Sequence, residues 1–532
     1  MITKIALLLL FFALTIFIGL YFRKRASNVN DFVLGGRSVG PWLTAFSYGA
    51  TYFSAVVFVG FAGQFGWRFG TSAVWIGLTN AFIGSLMAWF LLGRRTRIMT
   101  NHLKAATMPQ FFNARYLSPA LKIGASAIIF VFLIPYTASL YNGLGRLFEM
   151  AFGIPFELCI IAIGIITAIF VVAGGYFATA VNDFIQGIIM IFGIVAVIVV
   201  ALNSQGGFVE ATTKLSQIDA TNAGGPFAQN PGAFTSMFGP NPIDLLGVVI
   251  LTSLGAWGLP QMVARFYSIK SEKMITKGAI VSTIFSILIA GGSYFLGSFG
   301  RVFAATPEAA ALAMPEGRFD SIIPGILESI FSNNDLMMGL IIVLVFAASI
   351  STLSSLVMTS SSTLTLDFLK GVIIKKMNDR KQLIIIRVLI VVFIVISSAL
   401  AISQYNSPVN FIAQLMGISW GALAGAFLAP FLFGLYWKRT TKIAVWCNFV
   451  FSTCLMLLLV VLREGFPELL PKVFPTVLHS PINAGAFCML AGLIIVPLVS
   501  LFTKAPDKKA VDHCFAAYEV KVLSKAGKTL GE

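Results

Sequence analysis

The chain of 532 residues is 58% hydrophobic and only 11% charged, whereas about a quarter of the residues in a soluble domain are charged. This composition excludes an ordinary soluble protein and predicts an all-α polytopic membrane protein, because about 20 apolar helical residues cross a bilayer. The net charge of +16 would suggest nucleic acid as a partner of a soluble chain. In a membrane protein basic residues first report orientation, so we expect the lipid bilayer and no nucleic acid as a partner.

Thirteen apolar runs, each bounded by polar or Gly- and Pro-rich residues, predict thirteen membrane helices. The runs lie near residues 3–22, 41–65, 70–93, 121–150, 155–176, 182–203, 241–265, 276–300, 335–367, 383–403, 409–437, 441–462 and 483–503. The first run is followed by Arg23-Lys24-Arg25 and not by a small-residue cleavage site, which indicates a retained helix. We expect one transmembrane domain over residues 1–503 and a short tail over residues 504–532.

The distribution of basic residues predicts which segments face the cytoplasm. With the N-terminus outside, the cytoplasmic segments are 23–40, 94–122, 265–277, 370–387, 438–442 and 504–532. These segments hold 29 of the 37 lysines and arginines. Because cytoplasmic loops carry the positive excess, the sequence predicts a multi-pass protein of a bacterial-type inner (plasma) membrane, with its N-terminus outside and its C-terminus in the cytoplasm.

Two of the predicted helices contain helix-breaking residues at mid-membrane depth. The second helix places Gly49 among Ser and Thr residues, and the seventh carries Gly258 and Pro260. Gly and Pro also make simple packing kinks in membrane helices. However, these helices are five apart and enter from opposite sides, which predicts inverted repeats over about 41–203 and 241–437. Unwound backbone at such breaks lines a cavity, and its carbonyl groups suit an alkali cation.

The ninth helix is rich in hydroxyl groups, and residues 348, 351, 352 and 355 fall on one of its faces. Hydroxyl oxygens are suitable ligands for a small hard cation, although they also often bond to their own helix backbone. Asp183 is predicted to open the sixth helix after Gly174-Gly175. An ionisable residue there is a functional candidate, or else a helix-start carboxylate.

Several motifs in chain order carry a family resemblance. They are Leu34-Gly35-Gly36-Arg37-Ser38, Gly174-Gly175 with Asp183 and Gln186, Pro260 through Phe266, Ser351-Thr352-Leu353-Ser354, Gly421-Ala422, and Gly434 through Arg439. This set resembles the sodium/solute symporter family, which includes bacterial proline, pantothenate and sialic acid transporters and the sodium/sugar cotransporters. The resemblance implies a LeuT-type fold of two inverted five-helix repeats, preceded by one extra helix and followed by two. It also implies sodium-coupled symport of a small organic solute by alternating access.

The resemblance also implies positions for the ions and the solute. The first sodium site corresponds to Ala50, Phe53, Ala348, Ser351 and Thr352. A second sodium site, as in sialic acid-type members, corresponds to Asp183, Ser354 and Ser355, which would make two sodium ions per solute. The solute candidates are Tyr52, Ser54, Tyr136, Trp257, Gln261 and Gln414.

The identity of the solute stays open. The proline-carrying branch of the family has an acidic residue in the stretch where this chain has Tyr52, and the charged and amide groups typical of sugar-carrying members are scarce here. The solute is therefore expected to be an amino acid, a carboxylate, a sugar acid or a vitamin. The alternatives are a proton-coupled symporter with Asp183 as the proton carrier, and a sodium-coupled sugar transporter.

Other classes of function fit the sequence less well. A channel would need a polar stripe that continues through the membrane. An enzyme would need a nucleophile with its base, or a set of metal ligands, and the five cysteines and three histidines form no such short pattern. The chain has no glycine loop for nucleotide phosphates, so an ATP-driven pump is not expected.

Overall fold

The computed structural model describes residues 2–54, 56–304, 322–331, 334–374, 376–405 and 412–518. These residues are helical almost throughout, as the sequence predicts, and the only β-type pairing among them is in isolated bridges such as that between Val39 and Ile269. Of the predicted tail 504–532, residues 519–532 lie outside the described part. So do residues 305–321 of the connection before the ninth predicted helix.

The first half of the chain begins with a helix, α1, that is followed by shorter and longer helical segments. Their bounds are α1 Ile2–Tyr21, α2 Val29–Leu34, α3 Pro41–Tyr52, α4 Ala62–Phe69, α5 Val74–Thr79, α6 Arg94–His102, α7 Met108–Tyr116, α8 Pro119–Phe152, α9 Phe156–Ser204 and α10 Phe208–Ser216. Wider, π-helical turns cover Val56–Phe61 before α4, and Asn80–Met87 and Trp89–Gly93 between α5 and α6.

The second half continues in the same way. Its helices are α11 Pro242–Gly258, α12 Pro260–Ser268, α13 Ile275–Ser286, α14 Gly292–Ser298, α15 Gly300–Phe303, α16 Ile322–Phe331, α17 Asp335–Thr363, α18 Asp379–Tyr405, α19 Ile412–Tyr436, α20 Lys442–Gly465, α21 Leu470–Val473 and α22 Pro481–Phe502. π-helical turns join α13 to α14 and extend α17 from Leu364 to Ile373. A last helical segment covers residues 508–518.

Within the described residues, ten helices are long and apolar enough to cross a membrane, or eleven if α11 and α12 form one span. Two of the ten, Val56–His102 and Phe156–Ser204, contain 47 and 49 residues, or about 70 Å of helix each, against a hydrocarbon core of about 30 Å. Each contains a glycine with positive φ, Gly70 (φ 61°) and Gly175 (φ 59°), where the helical path is interrupted. The count of thirteen crossings stays a prediction.

Both breaks predicted from the sequence are present. Helix α3 ends at Tyr52, and the chain becomes helical again at Val56, whose amide donates to the Ser54 hydroxyl over 3.2 Å. Helices α11 and α12 are bent by 44° at Leu259, because Pro260 has no N–H with which to continue the helix. Each break leaves carbonyl groups without an intrahelical partner.

The connections that the charge pattern assigns to one side of the membrane lie on one face of the structure, which we call the basic face. Nη2 of Arg37 donates to the carbonyl of Ala105 over 2.6 Å, and Nε of Arg97 donates to the carbonyl of Ile269 over 2.6 Å. Burial and the neighbouring Arg97 lower the pKa of Arg37 to about 10, which leaves it charged at neutral pH. These bonds tie three predicted cytoplasmic segments together.

The same face holds the end of the described chain. Arg115 donates to the carbonyls of Gly434 and Trp437, and Nζ of Lys438 lies 2.8 Å from a carboxylate oxygen of Asp512. The segment 508–518 is therefore folded against the connections of the basic face. These contacts thus bring the predicted cytoplasmic segments together on this face.

Helix α17 lies at the centre of the bundle. In its most apolar window 83% of the residues are buried, against 28% for α1, so α1 is peripheral. Helix α17 packs against α1, α3, α8 and α9. The hydroxyl-rich face of α17 therefore meets protein on every side and not lipid.

Helices α4 and α14 pack with their backbones in direct contact. A Cβ atom built on Gly297 would lie 1.9 Å from the carbonyl oxygen of Ala62, and one on Gly66 would lie 2.1 Å from the backbone of Gly297. Real Cβ atoms do not approach so closely, so this contact requires glycine on both helices. It fixes the segment after the first break against the end of the α13–α14 helix.

We expect Gly297→Ala to destabilise the protein by about 1–3 kcal/mol, because the added methyl group overpacks a backbone contact. Gly291→Ala is the matched control, since a Cβ atom there meets nothing within 4 Å, and alanine is the better helix former. The melting temperatures of the purified proteins in detergent measure both effects. Equal melting temperatures for the two variants would contradict the close contact.

Candidate ion and solute sites

The break after α3 brings backbone oxygens to the hydroxyl group of Thr352. Oγ1 of Thr352 lies 3.3 Å from the carbonyl oxygen of Ala50, 3.1 Å from that of Thr51 and 3.3 Å from that of Ala348. The carbonyls of Ala50 and Thr51 are available because the last turn of a helix has no intrahelical donors for them. One hydroxyl hydrogen cannot satisfy three carbonyl groups, so this cluster has unused acceptor capacity.

The other two residues of the predicted first sodium site border the same cluster. Oγ of Ser351 is buried and faces the carboxyl group of Asp183. Phe53 and Ala348 line one small cavity. The structure thus places all five predicted residues around the break, and the ligands that they offer are neutral oxygens, which bind alkali cations at helix breaks.

A buried ion pair lies beside this cluster. Nη2 of Arg265 is 3.4 Å from Oδ2 of Asp183, and the two side chains are 2% and 0% exposed. The Ser47 hydroxyl donates to the same carboxylate oxygen. Arg265 was not among the residues singled out from the sequence, because position 265 falls in a predicted cytoplasmic connection and was counted there.

The same arginine nitrogen reaches two hydroxyl groups. Nη2 of Arg265 donates to Oγ1 of Thr51 over 2.6 Å and to Oγ of Ser355. Of the predicted second sodium site, Asp183 and Ser355 therefore lie together, with the guanidinium between them. The Ser354 hydroxyl instead donates to the carbonyl of Ser351 in its own helix over 2.9 Å.

Two placements predicted from the sequence differ from the structure. Asp183 does not open a helix: α9 becomes helical again directly after Gly175, so Asp183 lies about two turns inside the helix. Arg265 lies within α12 and is buried, because it pairs with that carboxylate instead of reaching the membrane surface. Because Asp183 lies inside α9, the prediction that it opens a helix is wrong.

Four aromatic side chains form a cluster on the other side of the break. The ring of Tyr52 stacks on Phe53 with centroids 4.4 Å apart and lies 6.2 Å from the ring of Trp420. Tyr136 meets Trp420 edge-on at 5.9 Å. We call Tyr52, Phe53, Tyr136 and Trp420 the aromatic cluster. Its central member, Trp420, was not predicted, because a single tryptophan in an apolar helix carries no distinguishing signal.

The remaining solute candidates are dispersed. Nε1 of Trp257 donates to the carbonyl of Ile83 over 2.9 Å, which makes it a packing contact, and Ser54 accepts the amide of Val56 at the break. Gln414 is partly exposed near the start of α19, roughly 9 Å along the helix from Trp420. Gln261 is buried directly after the second break, with Oε1 unpartnered among the described residues.

Gln261 lines a cavity on the side of the basic face. This basic-face cavity is small, with about 30 Å³ of internal space, and it is also lined by Thr107, Arg265, Ser355 and Thr359. The cavity therefore borders the loop before α7, the ion pair and the hydroxyl-rich face of α17.

Two helices of this polytopic protein are broken at mid-span, and oxygen atoms gather at one of the breaks. This is the architecture of a secondary transporter. The model of the sodium:solute symporter family matches residues 32–450. The chain belongs to this family, and it is a sodium-coupled solute symporter, not an enzyme. Membership also sets aside the proton-coupled alternative, the channel and the ATP-driven pump.

Relatives of known function are similar over most of their length. The osmoregulated proline transporter OpuE of Bacillus subtilis (strain 168) is 29% identical over 502 residues, which cover 94% of each chain. A sodium/proline symporter of Staphylococcus aureus (strain JH9) is 31% identical over 453 residues, which cover 81% of each chain.

A solved structure has the same fold. A sodium-coupled sialic acid symporter in a substrate-bound outward-open state matches with a TM-score of 0.74 at 20% identity, over 95% of this chain and 99% of the other. The LeuT-type fold that the family resemblance implies is thus confirmed. The bounds of the two repeats, 41–203 and 241–437, stay a prediction.

Proposed function

We propose that this symporter imports a small solute that carries a carboxylate group and no charged side chain, together with sodium bound by Ala50, Phe53, Ala348, Ser351 and Thr352. The observation that carries the sodium position is the meeting of three carbonyl oxygens at the Thr352 hydroxyl. A sodium ion would take up the acceptor capacity that one hydroxyl hydrogen leaves unused.

The proposed solute position is beside the break, at the aromatic cluster. The helical segment after the break starts at Val56, and the N-terminus of a half-helix favours an anionic group such as a carboxylate. Tyr52, Tyr136 and Trp420 offer rings to the body of the solute. The nearby buried charges, Asp183 and Arg265, pair with each other, which favours a solute without a charged side chain.

The relatives support this class of solute, since their names assign proline to them. Proline has one carboxylate and a compact apolar body, and it is therefore one candidate. Against it stands Tyr52, whose hydroxyl donates to the carbonyl of Thr252, at the place where proline-carrying members have an acidic residue. Other neutral amino acids and small monocarboxylates fit the same description.

A thermal-shift screen of the purified protein tests the proposal directly. Proline, other neutral amino acids, monocarboxylates, sugars and vitamins are each added in sodium chloride and in choline chloride, because a ligand that binds only the folded state raises the melting temperature. We expect a neutral amino acid or monocarboxylate to give a shift that requires sodium. A sodium-dependent shift only with uncharged sugars, or only with vitamins that lack a carboxylate group, would contradict the proposed solute class.

Thr352→Ala is expected to raise the sodium concentration for half-maximal binding or uptake at least about tenfold, which corresponds to about 1.4 kcal/mol. Thr365→Ala is the matched control, because its hydroxyl is also buried but donates to the carbonyl of Ser361 in its own helical segment. Losing such a bond in a membrane protein costs only about 0.6 kcal/mol on average. Equal sodium dependence in both variants would contradict the proposed site.

We further propose that the basic face lies in the cytoplasm of a bacterial-type cell, with the N-terminus outside. In a variant without cysteines, Gln229→Cys and Lys376→Cys place single thiols at exposed positions of the two opposite sides. We expect a membrane-impermeant maleimide to label the first in intact cells and the second only after permeabilisation. The reverse pattern would contradict the orientation.

A further inference from the structure

We propose that the helical segment 508–518 is a strap that holds the basic face of the transporter closed. The strap follows the last membrane helix, α22, and it joins α6 to α7 and α19. Its docking opposes the opening of the basic-face cavity, and its release makes that opening more frequent. The inference goes beyond the proposed function, because the strap belongs to neither the sodium position nor the solute position.

One face of the strap is part of the hydrophobic core. Its apolar and aromatic side chains recur at the spacing i, i+3, i+4 and i+7, which places them on one side of a helix. They are Val511, Cys514, Phe515 and Tyr518. The first three are almost completely buried, and they belong to the same hydrophobic cluster as residues of the membrane helices. The strap is therefore docked on the membrane domain by burial of apolar surface.

The strap is attached to α6 at two points. Nε2 of His102 lies 2.9 Å from the carbonyl oxygen of His513. The Tyr518 hydroxyl donates to the carbonyl of Arg95 over 3.2 Å, and the Arg95 guanidinium lies 4.9 Å from the centre of the Tyr518 ring. Since α6 covers Arg94–His102, these contacts hold the helix at both of its ends.

The same segment is attached to α7 and to the end of α19. The guanidinium of Arg115, near the end of α7, lies 5.1 Å from the centre of the Phe515 ring. Cations and aromatic rings attract each other at this distance. Nζ of Lys438, which follows α19, lies 2.8 Å from a carboxylate oxygen of Asp512. The strap thus binds three helices at once.

The three helices belong to two parts of the bundle. Helix α6 packs against α12, and the π-helical turns that precede it pack against α13, whereas α7 and α19 both pack against α8. The strap makes all of its contacts only while these two parts are close together. Because an equilibrium shifts by the difference in binding between its two states, the docked strap favours the closed arrangement.

The connection between α6 and α7 also lines the basic-face cavity. Its residues Ala106, Thr107 and Met108 are among the lining residues, and they lie between the attachment points at His102 and Arg115. The cavity cannot widen on this side unless the connection moves. The strap resists that movement because it holds the helices on both sides of the connection.

The reactivity of a cysteine in the cavity tests this inference in the full chain. Thr359→Cys places a thiol in the lining, and peptide mass spectrometry follows its modification by N-ethylmaleimide in the purified protein. Phe515→Ala combined with Tyr518→Ala removes two cation–π contacts and apolar burial, so we expect the rate at position 359 to rise at least about tenfold. Lys508→Ala combined with Lys509→Ala is the matched control, because both side chains are exposed, and it should keep the parent rate.

Native Cys159 is the internal reference, since it is buried and follows the far end of α8. A rise at position 359 alone supports the strap. An unchanged rate at position 359 would overturn the inference, and so would equal rises at positions 159 and 359, which indicate a general loosening of the protein.

A second pair of proteins decides the question if the double alanine variant does not elute as a monodisperse protein. A chain that ends after Ala505 lacks the strap, and a chain that ends after Tyr518 retains it. We expect the faster modification only in the shorter chain, and equal rates in the two chains would overturn the inference. The measurement involves neither sodium nor solute, so its outcome is independent of the proposed function.

Discussion

A membrane helix that stops at mid-depth must find partners for the carbonyl groups that it leaves open, because the surrounding lipid offers none. In this protein α3 stops at Tyr52, and the groups that meet its last carbonyls come from the centre of α17. This requirement explains why the most polar face of α17 lies in the middle of the bundle. It also explains why α17 is almost completely buried, while the hydroxyl groups that it carries are surrounded by protein and not by lipid.

The second constraint is the cost of burying charge. A carboxylate and a guanidinium without exposure to solvent are tolerated only when each satisfies the other and the remaining hydrogen-bonding groups are supplied nearby. Asp183 and Arg265 meet this condition through Ser47, Thr51 and Ser355. The pair joins α9 to α12 next to the first break, so the position of α12 after the second break is coupled to the ligands at the first.

Much of this arrangement could be predicted from the sequence, because membrane crossing imposes simple patterns. Long apolar runs, the asymmetry of basic residues and the glycine and proline residues at the breaks each have one strong physical cause. The gathering of Ala50, Ala348 and Thr352 followed from family resemblance, since residues three hundred positions apart leave no local signal. The interruptions at Gly70 and Gly175 could not be placed, because the sequence does not show which glycines adopt a positive φ.

Arg265 and Trp420 could not be predicted for opposite reasons. An arginine near the end of an apolar run is usually a surface residue, and only the position of Asp183 in another helix makes burial of this one favourable. A tryptophan in an apolar run is usually a packing residue, and its role at the break depends on Tyr52 and Tyr136 arriving from other helices. In both cases the partner is decided by tertiary packing.

The direct contact of α4 with α14 has a mechanical consequence. The segment before the break, α3, packs on α13, and the segment after it, α4, packs on α14, while α13 and α14 belong to one apolar helix of 27 residues, Glu272–Ser298. That helix packs along both halves of the broken one and so braces the interruption at Phe53 and Ser54, where the proposed ligand cage lies. In the proposed function, α17 would move relative to this braced unit, and its oxygens would form the other side of the cage. An ion in the cage would clamp the two bodies together, and they could separate only after it leaves.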